Sequence, residues 1–505
     1  MQKRWVGIIA NIFLIIYFSL FFAQKISLPT ADLGRHITNG KIFIQTGKVV
    51  STNYYSYTEP DFPVVNHHWF SGVIFYIVQK VAGFSGLSVF YILISGATVY
   101  FFYKIAKLKS SFGEAFLITL FLIPLMANRK EIRPEGFSYF FIGLYFYLLT
   151  LFNDKKIKTK LLYAIILVSQ LIWVNTHIFF IMGNFIILVF LFNEALKKWI
   201  FKKNNNFKQL LILSIFSFVF SLLNPYGIKG LLEPFNIFKE YGYMIIENQS
   251  VFFMQKRTPN FTYFYFEMLT IISFVSYIIL ASAKNIKNNI HVIIFSIIYL
   301  ILSYKAIRII PIFALFDAVI LAIVFSKYFK IKESILIYAC MFFVIVTFIP
   351  GHYFSIFKNN FGIGLRDNVN KSGEFFIQNN IKGPIFNNYD IGGYLIYYLD
   401  GKEKVFVDNR PEAYSVEFFT KTYVPMQENE QTWKEMDQKY NFNAIYFYRH
   451  DATPWAQPFL IQRIEDSGWM PVFVDDYTLI LVKNNEQNKD IIDKYRLPKS
   501  MFRRT

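Results

Sequence analysis

The amino-acid sequence predicts an α-helical polytopic membrane protein with about eleven transmembrane helices and a soluble C-terminal α/β domain. Three observations carry this expectation. Of 505 residues, 54% are hydrophobic and the mean hydropathy is +0.34. The apolar residues fall in blocks of about 15 to 20, the length of a bilayer core. Beyond about Gly351 the blocks give way to short β-rich runs alternating with amphipathic segments.

Taken in order, apolar runs with ends marked by charge, Pro or Asn predict helices near Val6 to Phe22, Leu87 to Tyr103, Phe112 to Met126, Phe137 to Phe152 and Leu161 to Val174. Others follow near Ile178 to Phe192, Leu210 to Leu223, Phe261 to Leu280, Ile290 to Leu302, Ile309 to Phe325 and Ile335 to Ile349. Trp69 to Val81 is a further apolar stretch, either a short interfacial helix or the start of the second span. The chain thus divides into a transmembrane part, 1–350, with a large first outer loop at 24–68, and an outer α/β domain, 351–505. In that domain strands are expected at Pro384 to Phe386, Lys404 to Val407, Ala444 to Tyr448, Pro471 to Val474 and Thr478 to Val482. Helices are expected around Gly392 to Leu399, Ala413 to Tyr423, Thr432 to Tyr440 and Trp455 to Asp466.

A net charge of +18 would suggest nucleic acid in a soluble protein, but here the lysines cluster at the ends of apolar blocks. Lys3/Arg4, Lys104/Lys107/Lys109, Lys155 to Lys160, Lys197 to Lys203, Lys284/Lys287 and Lys327 to Lys332 occupy alternate loops. The positive-inside rule makes those loops cytoplasmic, so nucleic acid is not expected as a partner and the C-terminal domain is expected outside. The lone cysteine, Cys340, lies within an apolar block and offers no intrachain disulfide.

Chemistry-bearing residues concentrate on the expected outer side. Asp32 and His36 are four apart, so on a helix they share a face and could hold one metal or one proton; the structural alternative is that Asp32 only caps a helix. His67 and His68 could cap the next helix or support an acceptor. Arg129, Lys130, Arg133, Lys305 and Arg308 are cations where the positive-inside rule does not put them, which calls for an anionic partner such as phosphate. Pairing with Glu131, Glu135 and Glu247 is the structural alternative, and Lys305 and Arg308 fit it worst because no acid is near them in sequence. His177 and Asn175 could bond across helices, Glu247 could contact an acceptor, and the turns at Asn388 to Gly393 and Asp408 to Arg410 read as structural.

Together these residues resemble the multi-pass C-type (GT-C) membrane glycosyltransferases, within them a bacterial group with an outer α/β domain. The similar features are Asp32-x-x-x-His36, the run from Gly47 to Thr58, His68-Trp69, Arg133-Pro134, Trp173-x-Asn-x-His177, Asn224-Pro-Tyr-Gly227 and Asp408-x-Arg410. The resemblance implies a polyprenyl-phosphate sugar as donor, inversion at the anomeric carbon, and a glycan, lipid or protein acceptor. It implies Asp32 as base with His36 beside it, and Arg133, Lys305 and Arg308 on the donor phosphate. Asp32 departs from the common pattern of two adjacent acids, which leaves a divalent metal on Asp32 and His36 open. Two other functions compete: a transporter or lipid flippase, for which Asp317 is the main intramembrane charge, and a non-catalytic scaffold displaying the outer domain.

Overall fold

A computed structural model of the chain describes residues 2–200, 206–237, 239–282, 286–349 and 360–502. Lys202, Lys203, Lys284 and the expected domain boundary at Gly351 lie outside the described residues. The apolar blocks are helical. Six helices among the described residues are long and apolar enough to cross a membrane: Trp69–Lys109, Glu135–Asn153, Thr159–Thr176, Ile178–Trp199, Phe261–Ala281 and Ile307–Tyr328. Shorter apolar helices occupy Gly7–Phe22, Phe112–Met126, Phe207–Ser221, Asn289–Lys305 and Ile335–Phe348.

The chain folds into two compact units, each built from separated segments. The first comprises Met1–Lys25, Ser85–Phe235 and Ile245–Gly364; the second comprises Ile26–Phe84, Asn236–Met244 and Leu365–Thr505. Most of the expected first outer loop thus belongs to the second unit. The Trp69–Lys109 helix breaks at Gly83, whose φ of 66° favours glycine, and the unit boundary falls two residues later.

In the first unit the Ile310–Tyr328 helix is apolar on every face and buried almost throughout, as such a helix must be. Asp317 lies on it, fully buried, and accepts from Ser273 Oγ at 2.8 Å and Ser296 Oγ at 3.1 Å. One carboxylate therefore links three helices, the bonded alternative to a transport site.

The second unit centres on a four-stranded sheet of order β1-β2-β4-β3, comprising β1 (Ile385–Asn387), β2 (Ala444–Tyr448), β3 (Trp469–Val474) and β4 (Thr478–Lys483). β1 runs parallel to β2, and the other pairs are antiparallel. Apolar β-branched and aromatic residues fill the two central strands. Pro471, which has no N–H to give, stands on the edge strand β3 beside a register shift. Phe386, Phe406, Trp433, Phe442, Phe459 and Leu481 form the core with residues from the early segment such as Val64. Two expectations are corrected. Lys404 to Val407 is not a strand; only Val405 bridges, to Ser56, because the segment pairs with the early loop and not with the sheet. The helix expected over Ala413 to Tyr423 is a short turn at Pro411–Ala413 followed by a wide-wound segment, Phe418–Tyr423.

Candidate functional site

Asp32 immediately precedes the Leu33–Thr46 helix, in the second unit. Its side chain makes no cap hydrogen bond, so capping is not what holds it there. Its Oδ1 instead accepts from Asn409 Nδ2, 377 residues away in sequence. Asn409 Oδ1 in turn accepts from Arg35 Nε at 3.4 Å. Glycines bring these segments together. A Cβ on Gly34 would lie 2.6 Å from the Gly393 carbonyl oxygen, and one on Gly392 only 2.4 Å from Asp408 Cα. The Leu33–Thr46 helix can therefore approach the start of the Gly392–Leu399 helix only because Gly34 carries no β-carbon, and Gly392 lets that helix start lie against the Asp408 turn for the same reason.

The turn that presents Asn409 is held by a buried ion pair. Arg410 Nε and a terminal nitrogen donate to the two Asp408 oxygens at 2.7 and 2.6 Å. The same nitrogen reaches Asn53 at 2.8 Å, and the guanidinium lies over the Tyr55 ring at 5.4 Å. Burial alone would lower the Arg410 pKa, but Asp408 outweighs it and holds the cation firmly charged. Asp408 and Arg410 are thus structural, as the turn reading had it.

A second acid, Asp390, stands near Asp32, which the sequence had shown without a neighbouring carboxylate, and Glu412 lies by Arg35. Asp390 is pushed up to about 7, by burial first and then by Asp451 and Asp32. Glu412 is raised by burial, against the pull of Arg35 and Arg410. The Tyr389 hydroxyl feels burial and then Glu412, Tyr243, Asp32 and Asp390, and its ring stacks on Tyr243 at 4.2 Å. Spacing in sequence could not show these acids, because they enter from a different segment.

The histidines of the early loop also meet. The His68 ring lies 4.2 Å from His67 and 5.3 Å from His36, and His36 is buried. Burial lowers His67 to about 3, so it is neutral at ordinary pH. Among the described residues no group of three or more His, Cys, Asp or Glu side chains is placed to hold a metal ion.

In the first unit, Arg129, Arg133 and Arg308 converge on two glutamates. Arg129 Nε bonds Glu135 at 2.7 Å, Arg133 bonds Glu247 at 2.5 Å, and Arg129 also reaches Glu247 at 3.0 Å. Arg308 lies 3.4 Å from Glu135, donates to Asn248 at 3.2 Å and packs over the Phe179 ring at 5.0 Å. The expectation that Arg308 has no acid nearby is therefore corrected: the acid comes from another helix. Arg308 Nε is buried without a hydrogen-bond partner among the described residues. Burial would raise the Glu247 carboxyl, but Arg129, Arg133 and Arg308 outweigh it and hold the group well below the carboxylate range. Arg133 also pairs with Glu131 at 3.0 Å, so three guanidinium groups face three carboxylates, the pairing that was the structural alternative. Lys305 is exposed at the end of the Ile286–Lys305 helix.

His177 stands at the break between two helices. Its Nδ1 accepts from Phe179 N–H at 3.3 Å and lies 2.8 Å from Ser138 Oγ, which itself accepts from Trp173 at 2.7 Å. Asn175 bonds the Leu223 carbonyl across helices. Both are helix-joining residues here.

The fold is similar to that of three solved membrane-protein structures. An archaeal oligosaccharyltransferase, AglB from Archaeoglobus fulgidus, in complex with an inhibitory peptide and a dolichol-phosphate, matches with a TM-score of 0.63 at 12% identity, covering 96% of this chain and 75% of that one. A second Archaeoglobus fulgidus oligosaccharyltransferase structure, holding Zn and sulfate, gives 0.59 at 12%, over 95% and 73%. ArnT from Cupriavidus metallidurans, bound to undecaprenyl phosphate, gives 0.50 at 10%, over 95% and 97%. No family model and no curated protein sequence matches.

Proposed function

We propose that this chain is a membrane glycosyltransferase that moves a sugar from a polyprenyl-phosphate donor to the hydroxyl of an extracytoplasmic acceptor, with inversion. The observation that carries the reading is Asp32: a half-buried carboxylate at a helix start that makes no cap bond and is held by a side chain from far along the sequence. Neighbouring folds bind dolichol-phosphate and undecaprenyl phosphate, which supports a lipid phosphate as the donor's carrier.

Asp32 takes the acceptor hydroxyl proton as that oxygen bonds to the anomeric carbon. The bond from that carbon to the phosphate oxygen breaks in the same displacement, and the electron pair leaves on the lipid phosphate. A single displacement inverts the centre. Arg133 and Arg308, with Lys305, neutralise the departing phosphate, for which a guanidinium supplies a two-pronged donor. Lysine placement supports a reaction outside the cytoplasm. Asp317, already bonded to two serines, offers little to the transporter alternative.

Transfer from undecaprenyl-phosphate hexoses by purified full-length protein tests the reading. Asp32→Asn should lower turnover at least about 100-fold, the scale of a lost general base, while leaving the melting temperature unchanged because no cap bond is lost. Arg308→Ala should raise donor KM, and Arg308→Lys should recover part of it. Undiminished transfer by Asp32→Asn would remove Asp32 as the base. Silence of the unaltered protein with every such donor would favour the scaffold.

A further inference from the structure

Asp32 and Asn409 are joined through a directed chain whose polarity can be read. Arg35 is buried, and its guanidinium can only donate. Asn409 must therefore turn its carbonyl oxygen to Arg35, which leaves its N–H to point at Asp32. The amide cannot flip without setting donor against donor. The arrangement presents a hydrogen-bond donor to the Asp32 carboxyl oxygen.

We infer that Asn409 is a positioning residue for the base, holding the Asp32 carboxylate in one orientation through an amide polarised by Arg35. This rests on the reading of Asp32 as the base. The Asp408–Arg410 pair is what makes the device rigid, since both flanking side chains are buried and bonded to each other, to Asn53 and to Tyr414. The close approach at Gly34 and Gly393 does the same from the other side: a Cβ on Gly393 would lie 3.1 Å from the Asn409 amide nitrogen. Asparagine offers an acceptor to Arg35 and, from a second atom, a donor to Asp32. Aspartate has the same shape and can only accept.

That contrast supplies the test, with undecaprenyl-phosphate glucose and other undecaprenyl-phosphate hexoses as donors and the full-length chain in nanodiscs. Asn409→Ala should lower kcat about 10- to 100-fold, the kinetic equivalent of one hydrogen bond to a charged group, with donor KM within about twofold. Asn409→Asp, although isosteric, should lose at least as much. A residue needed only for its shape would keep its kcat in Asn409→Asp, and that result overturns the inference. So would a folded Asn409→Ala variant with unchanged kcat where Asp32→Asn is inactive. Full activity in Asp32→Asn is a different failure, since it removes the base itself and the positioning role with it.

Discussion

At the scale of single residues, the second unit carries two ionisable groups whose displaced pKa values act on stability in opposite directions. Asp390 is raised to about 7, above its unfolded value, so between about 4 and 7 the folded form binds the extra proton. Its effect on stability is neutral at low pH, and stability is lost as pH rises through that window. His67 is lowered to about 3, so between there and about 6.5 the unfolded form binds the extra proton and stability falls as pH drops. Asp390→Asn removes the first effect and leaves the second. The variant should melt higher than the unaltered protein at pH 8 and gain less at pH 5, by thermal melts of the full-length protein at each pH. An equal gain at both would mean that Asp390 ionises normally. Asp32, His36, His67 and Arg133 stood out in the sequence as residue types in suggestive places. Asn409, Asp390 and Glu412 did not, because a lone polar residue in a turn looks structural until its neighbours are known.

At the scale of elements, glycine sets how closely the Leu33–Thr46 helix can pack. A Cβ at Gly34 would sit 2.6 Å from the Gly393 carbonyl oxygen and 2.9 Å from Tyr397 Cβ, both parts of the fixed framework. At Gly393 the approaches are looser, 3.1 Å to Asn409 Nδ2 and 3.3 Å to the Ala31 carbonyl oxygen. Gly34→Ala should therefore cost about 1–3 kcal/mol, as overpacking does, and Gly393→Ala less. Melting temperatures of the two variants check the order. Gly34→Ala should also lose transfer activity, since displacing the helix moves Asp32. Reversal of the order would mean that the helix shifts without resistance. The sheet shows how sequence pattern misleads at this scale. Lys404 to Val407 has strand character, but its backbone is taken up by the early loop: Val405 N–H donates to Tyr55 O, and the Phe406 carbonyl accepts from Ser56 and Thr58. Β-propensity marks a segment that will pair without naming its partner.

At the scale of the whole molecule, orientation in the membrane is the property that places the proposed chemistry, and it rests on lysine distribution. In a Cys340→Ser background, Glu374→Cys on an exposed helical position should react with an impermeant maleimide in intact cells, and Lys156→Cys only after lysis. The opposite pattern would move the reaction to the cytoplasmic side. Membrane class, apolar helices and the presence of an α/β region were legible in the sequence, because the bilayer imposes length and polarity on each span independently of what it packs against. Cation clusters were legible too, and so were Glu131, Glu135 and Glu247 as acids that could pair with Arg129 and Arg133, but the partners of Arg308 and Arg410 were not. Arg308 finds Glu135 and Arg410 finds Asn53 across 173 and 357 residues of chain. Only the tertiary structure decided that 26–84 and 365–505 build one unit, that Asp32 is withheld from capping, and that the acid near it, Asp390, comes from the C-terminal segment. Local sequence sets which groups a segment can offer; which groups meet depends on long-range packing, and here that packing turns on glycines that admit a second backbone at van der Waals distance.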